Sequence, residues 1–134
     1  MKAPFMQHVG LRTVAGPREA SELRMRVEAH HLNTNGVVHG GALFTLADTA
    51  MGMAVHTALA PHERCATVDA RIGYLLPVRE GEVVCVGRLV HREGPVAHVE
   101  AVLSVDGREV ARATGVFAVF SPEHAGSLKA KVDS

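Results

Sequence analysis

The chain has 134 residues, with 14 Lys plus Arg against 14 Asp plus Glu, so its formal charge is zero apart from nine histidines. A neutral surface carries no basic field to displace counterions from a phosphate backbone, which argues against nucleic acid as a partner, and the length suits one domain over residues 1–134. Apolar residues make up 47% and charged residues 21%, with four Phe, one Tyr and no Trp, so the chain is expected to fold around a core of small aliphatic contacts.

The run from Val9 to Ala15 is weakly apolar and is broken by Gly16-Pro17. Leu23, Met25, Val27 and Ala29 then alternate with Arg24, Arg26 and Glu28, the period of a half-buried strand. After a loop rich in Asn and Gly, the segment Gly41 to Ala60 reads as the one long helix, stopped by Pro61. Its apolar residues leave no continuous polar face, so it is expected to be surrounded by protein. Its Ala, Thr and Gly content and Asp48 argue against a membrane span. Downstream the period is two: Ala66, Val68, Ala70 and Ile72 alternate with Thr67, Asp69, Arg71 and Gly73, and Glu82 to Val90 forms a further strand. Ala97 to Val105 and Val110 to Phe120 flank Asp106-Gly107, the residues a two-residue type I′ hairpin turn requires. The folded core therefore spans about residues 9–120, with a polar, loosely held tail over 121–134. One short sheet covers only part of such a helix, so a second copy of the chain is expected to complete the burial.

Cys65 and Cys85 fit no metal spacing and are too few for a disulfide framework, and Met1 to Gly10 lacks the apolar stretch of a signal peptide. A cytoplasmic protein without a metal or other cofactor is expected. Gly-x-Ser-x-Gly, phosphate-loop and dinucleotide-binding motifs are absent.

Two features bear on chemistry. Gly40-Gly41 stands where the chain enters the helix, where first-turn N–H groups lack intrahelical partners and could polarise a carbonyl oxygen, although a tight turn alone would also place two glycines there. Asp48 is the only acidic residue between Glu28 and Glu63 and has no Lys or Arg within a helical turn. A carboxylate in an apolar helix is costly unless it is paired or used; hydrogen bonds from a neighbouring subunit and chemistry are both open.

Asn33-x-x-Gly36-x-x-His39-Gly40-Gly41, followed by Leu46-Ala47-Asp48, Gly52, Tyr74-Leu75-Leu76-Pro77 and Gly81, resembles the signature of hot-dog-fold thioesterases of the phenylacetate-degradation (PaaI-like) family. The resemblance covers roughly residues 23–120. It implies an α+β hot-dog fold, a long helix wrapped by an antiparallel sheet of five to six strands. It further implies hydrolysis of an acyl-CoA, a homodimer often paired into a homotetramer, and active sites at the subunit interface. Carried over, Asp48 corresponds to the general base or nucleophile, Gly40 to the residue whose N–H polarises the thioester carbonyl, and Gly41 to its neighbour. Asn33 corresponds to the residue that holds substrate or water, His39 to the support of the loop, and Thr67 to a hydroxyl reaching the site from the strand after the helix. The acyl pocket would include Leu43, Phe44, Met51 and Val55, and the CoA phosphates have Arg64, Arg71, Arg79, Arg88, Arg92 and Arg108 available. A noncatalytic acyl-CoA-binding protein and an acyl hydratase or dehydratase are the alternatives on the same fold.

Overall fold

A computed structural model describes residues 3–122. A short helix α1 (Pro4–Val9) opens the chain, where the sequence predicts no element before the apolar run that starts at Val9. Pro4 stands at a position whose N–H has no helical partner in any case, and Gly10, at φ 86°, closes the turn in the left-handed region. Strand β1 (Leu11–Val14) therefore begins after Val9, and β2 (Ala20–Arg26) ends before the predicted Ala29, because Ala29–His31 form a 3-10 turn capped reciprocally by Glu28 and His31. The long helix α2 (Gly40–His56) stops short of Ala60. The Thr57 hydroxyl donates to the Ala54 carbonyl and accepts the Glu19 N–H, and Thr57 and Ala58 continue as a turn. Strands β3 (Arg64–Tyr74), β4 (Glu82–Glu93), β5 (Val96–Val105) and β6 (Arg108–Phe120) complete one antiparallel sheet in the order β1-β2-β4-β5-β6-β3.

The β5–β6 turn is the expected one. Val105 pairs with Arg108, and Asp106 and Gly107 take φ 50° and 77°, both positive as a type I′ turn demands. Helix α2 lies across the sheet and buries Leu43, Leu46, Ala47, Ala50, Met51, Ala54 and Val55 against Leu23, Met25, Val83, Cys85 and Leu103. Close approach is possible because β4 carries Gly87 beneath the helix. A Cβ there would stand 2.5 Å from the Ala50 carbonyl oxygen, which also accepts the Ser21 hydroxyl at 2.6 Å.

The helix is not surrounded on every side. Gly41, Thr45, Asp48 and Gly52, spaced to share one face, are exposed or half-exposed. Beside them runs β3, an edge strand with no partner on its outer side and almost no buried residue. The reason is topological: β3 returns to the far edge of the sheet beside β6, so a single sheet wraps only one side of the rod.

Strand β3 also departs from simple alternation. Thr67 pairs with Phe117 and Asp69 with Val116, which leaves Val68 as a bulge opposite no residue. Cys65 and Thr67 before the bulge, and Ala70, Ile72 and Tyr74 after it, consequently face the helix. Val68, expected inward by its period, is 65% exposed.

Candidate active site

The entry to α2 is built by two histidines. His31 is buried; its Nδ1 accepts the Glu28 N–H at 2.9 Å, which puts the ring proton on Nε2, 2.5 Å from the Val9 carbonyl oxygen. The His31 carbonyl accepts the His39 N–H at 2.8 Å, so the N-terminal segment, the 3-10 turn and the helix entry are tied through one residue. His39 is the N-cap, with φ −58° and ψ 134°, and its Nδ1 accepts the Gly41 N–H at 2.8 Å. The His39 carbonyl accepts from Ala42 and Leu43 at 2.9 and 3.4 Å. Among the described residues, Gly40 is thus the first-turn amide that keeps its N–H without a partner. That N–H sits at the positive end of a 17-residue helix, the geometry in which a backbone donor stabilises negative charge developing on an oxygen. Gly41, expected to assist, has its donor occupied by the cap. A Cβ on Gly41 would meet His39 Nδ1 at 2.9 Å, so glycine there serves the cap itself.

Asp48 lies two turns further along, on the open face. It is half-exposed, a correction to the fully enclosed carboxylate the apolar helix suggests, because that face of α2 is uncovered in the single chain. Its Oδ1 accepts the Thr67 hydroxyl at 2.8 Å, and no cation stands within ion-pair distance of it among the described residues. The Val68 bulge makes this contact possible: strict alternation puts Thr67 outward with Asp69, whereas the structure turns it to the helix. Cys65 borders the same spot; burial first, and the Asp48 charge second, push its thiol above the ordinary range. Along one helix, Gly40 and Asp48 are eight residues apart, about 12 Å at ~1.5 Å per residue.

The remaining expected positions separate. The Asn33 side-chain oxygen accepts the Asn35 and Val37 N–H groups at 2.9 and 3.4 Å and shapes the loop before the helix, with its amide nitrogen free of partners among the described residues. Phe44 is 36% exposed on the open side of α2. Met51 is 1% exposed and packs at Gly115, so it belongs to the core and lines no open groove; Leu43 and Val55 are also buried. Arg88 and Arg92 are engaged by Glu100 and Glu63, and Arg64 donates to the Pro61 and Glu63 carbonyls. Arg79 and Arg108 line a cavity of about 530 Å³ with Leu76, Pro77 and Val78. These same three residues wall a second cavity of about 370 Å³ that reaches Gly40 and Tyr74. Tyr74 is a site residue that the sequence does not single out: its hydroxyl donates to the Gly40 carbonyl at 2.7 Å, and burial raises its pKa above the ordinary range. Seven residues separate it from Thr67, an odd spacing that puts the two on opposite faces of an unbulged strand.

Among the described residues, no group of three or more His, Cys, Asp or Glu is placed to hold a metal ion, and no helix is long and apolar enough to cross a membrane. The thioesterase superfamily model matches residues 35–111, a span containing Gly40, Asp48, Thr67 and Tyr74. The chain is 38% identical over 116 residues to a Halobacterium salinarum protein named as a candidate esterase, covering 74% of each. A conserved protein of Pseudomonas aeruginosa superposes with a TM-score of 0.86 at 35% identity, covering 90% of this chain and 96% of that one. A mutant of the phenylacetic acid degradation protein PaaI of Thermus thermophilus does so at 0.80 and 26%, covering 87% and 98%. The curved six-stranded sheet with its long helix is the hot-dog fold of these neighbours. By its sequence match and by this architecture, the chain belongs to the thioesterase superfamily.

Proposed function

We propose that the chain hydrolyses acyl-CoA thioesters to the free acid and CoA, in a site shared by two copies of itself. The observation that carries this reading is the Asp48 carboxylate, steadied by Thr67, unneutralised by a cation among the described residues, and open on the uncovered helix face. The Gly40 N–H polarises the thioester carbonyl, and Asp48 either takes a proton from the attacking water or attacks the carbonyl carbon itself. In the first route the water oxygen bonds to the carbonyl carbon, the C–S bond breaks, and the CoA thiolate leaves to recover the proton. In the second, C–S cleavage leaves an anhydride that water opens. A thioester is activated enough for one carboxylate and a well-aimed N–H to suffice.

The distance along the helix supports a shared site. About 12 Å along one helix is too far for a single carbonyl to touch both groups, so Gly40 of one copy works with Asp48 of the other. The unpaired β3 edge and the bare helix face supply the surface for that twofold contact, and paired dimers form the tetramer. Asn33 holds substrate or water through its free amide, while Thr67 orients Asp48 and His39 maintains the helix entry beside Gly41. Phe44 borders the acyl group. The two adjoining cavities accommodate the pantetheine arm, with Arg79 and Arg108 for the phosphates. Two free cysteines suit a reducing cytoplasm.

The test is release of free thiol from a panel of acyl-CoAs, followed by subunit complementation. Asp48→Asn and Gly40→Pro chains are each expected to be inactive as homodimers; His39 already holds a ψ compatible with a following proline. Equal co-expression restores about a quarter of wild-type activity, because half the dimers are mixed and each mixed dimer keeps one intact site of two. No thiol release from any acyl-CoA sinks the hydrolase reading, and no recovery in the mixture sinks the shared site.

A further inference from the structure

The peptide unit between Gly40 and Gly41 is gripped at both ends. Its oxygen accepts the Tyr74 hydroxyl at 2.7 Å, and its N–H donates to His39 Nδ1 at 2.8 Å. Adjacent glycines are the most permissive backbone a chain can have, yet a donor works only if it points one way. Rotation about ψ of Gly40 turns this peptide relative to the preceding one, which carries the free Gly40 N–H, so holding the first limits the second. Tyr74 reaches this spot because the Val68 bulge shifts the strand's parity, giving Thr67 and Tyr74 to the same face. The fit is tight: a Cβ on Gly40 would lie 3.0 Å from the Tyr74 hydroxyl oxygen and 3.1 Å from its ring carbon. A ring that is 52% exposed, yet closes on the peptide oxygen of the helix entry, contributes little to the core.

We propose that Tyr74 is a positioning residue whose hydroxyl locks the Gly40–Gly41 peptide and so aims the Gly40 N–H at the substrate carbonyl. What the N–H is aimed at rests on the thioesterase reading; the lock itself does not.

The test is Tyr74→Phe, which keeps the ring and removes only the hydroxyl, read by acyl-CoA kinetics and by amide hydrogen exchange at Gly41. The expected result is a kcat about tenfold lower, less than the loss from deleting an oxyanion donor outright, with KM within about twofold. Gly41 exchange should be about tenfold faster, with the melting temperature nearly unchanged. An unchanged kcat in the folded variant overturns the proposal, as does a rise in KM alone, which would make Tyr74 a substrate contact. A wild-type protein that releases no thiol would refute the thioesterase reading instead; the lock would then stand on accelerated Gly41 exchange and fall if exchange were unchanged.

Discussion

Replacing Thr67 by Val deletes one hydroxyl from a strand position that favours β-branched side chains, so the fold is expected to persist while Asp48 loses its hydrogen-bond partner. The magnitude follows from what that partner does. A hydrogen bond to a charged acceptor is worth about 1.5–3 kcal/mol, reduced here because the pair is partly open to water. Without it, the Asp48 side chain distributes over the two χ1 wells a helix allows, which alone withdraws roughly half of the population from the working pose. A kcat lower by about three- to tenfold is expected, against about a thousandfold for Asp48→Asn, the range of a lost general base. In the Asp48→Asn background, Thr67→Val should change the residual rate by less than about twofold, because the group Thr67 orients no longer performs the chemistry. Thiol release at saturating acyl-CoA, measured for the four proteins of the cycle, decides it. Equal factors in both backgrounds would mean that Thr67 acts independently of Asp48 and would refute the assignment.

Gly87→Ala forces a methyl to within 2.5 Å of the Ala50 carbonyl oxygen and 2.8 Å of the Ser21 hydroxyl, and the backbone atom cannot rotate away. A loss of about 3 kcal/mol, ~10 °C in Tm by thermal denaturation, is expected, while Gly16→Ala, with nothing within 4 Å, should be nearly neutral. Glu63 is held down to a pKa of about 2, first by its hydrogen bond to Arg92 and then by the Ala60 N–H. Because its folded pKa lies below the ordinary 4.5, its contribution is full above that value and is lost as pH falls toward 2. Thermal melts should therefore separate wild type from Glu63→Gln at pH 6 and converge near pH 2; a constant gap would show that the pair does not titrate as described.

Much of the architecture is local and therefore readable. The period-two runs mark the main strands, and Asp106-Gly107 specifies its turn because both residues tolerate positive φ, as observed. Helix α2 is found to within a few residues, its end moved by a Thr57 hydroxyl contact that pattern cannot register. Helix α1 is missed because six residues offer too little periodicity, leaving only Pro4 and Gly10 as signals. At the site, Asp48 stands out as a lone acid, and Gly40 as a glycine at a helix start. Which first-turn amide remains free is another matter, since it depends on where the His39 ring settles.

Residue order alone determined the strands, the helix, the hairpin turn and the isolation of Asp48 in the chain, because each depends on neighbours a few positions away. Tertiary structure decided that Thr67 and Tyr74 face the same helix, that Met51 points into the core, and that one flank of α2 stays bare. The physical reason is register: a single unpaired residue at Val68 puts Cys65 and Thr67 on the same face as Ala70, Ile72 and Tyr74, against strict alternation, and an extra residue becomes visible only when β3 is laid against β6.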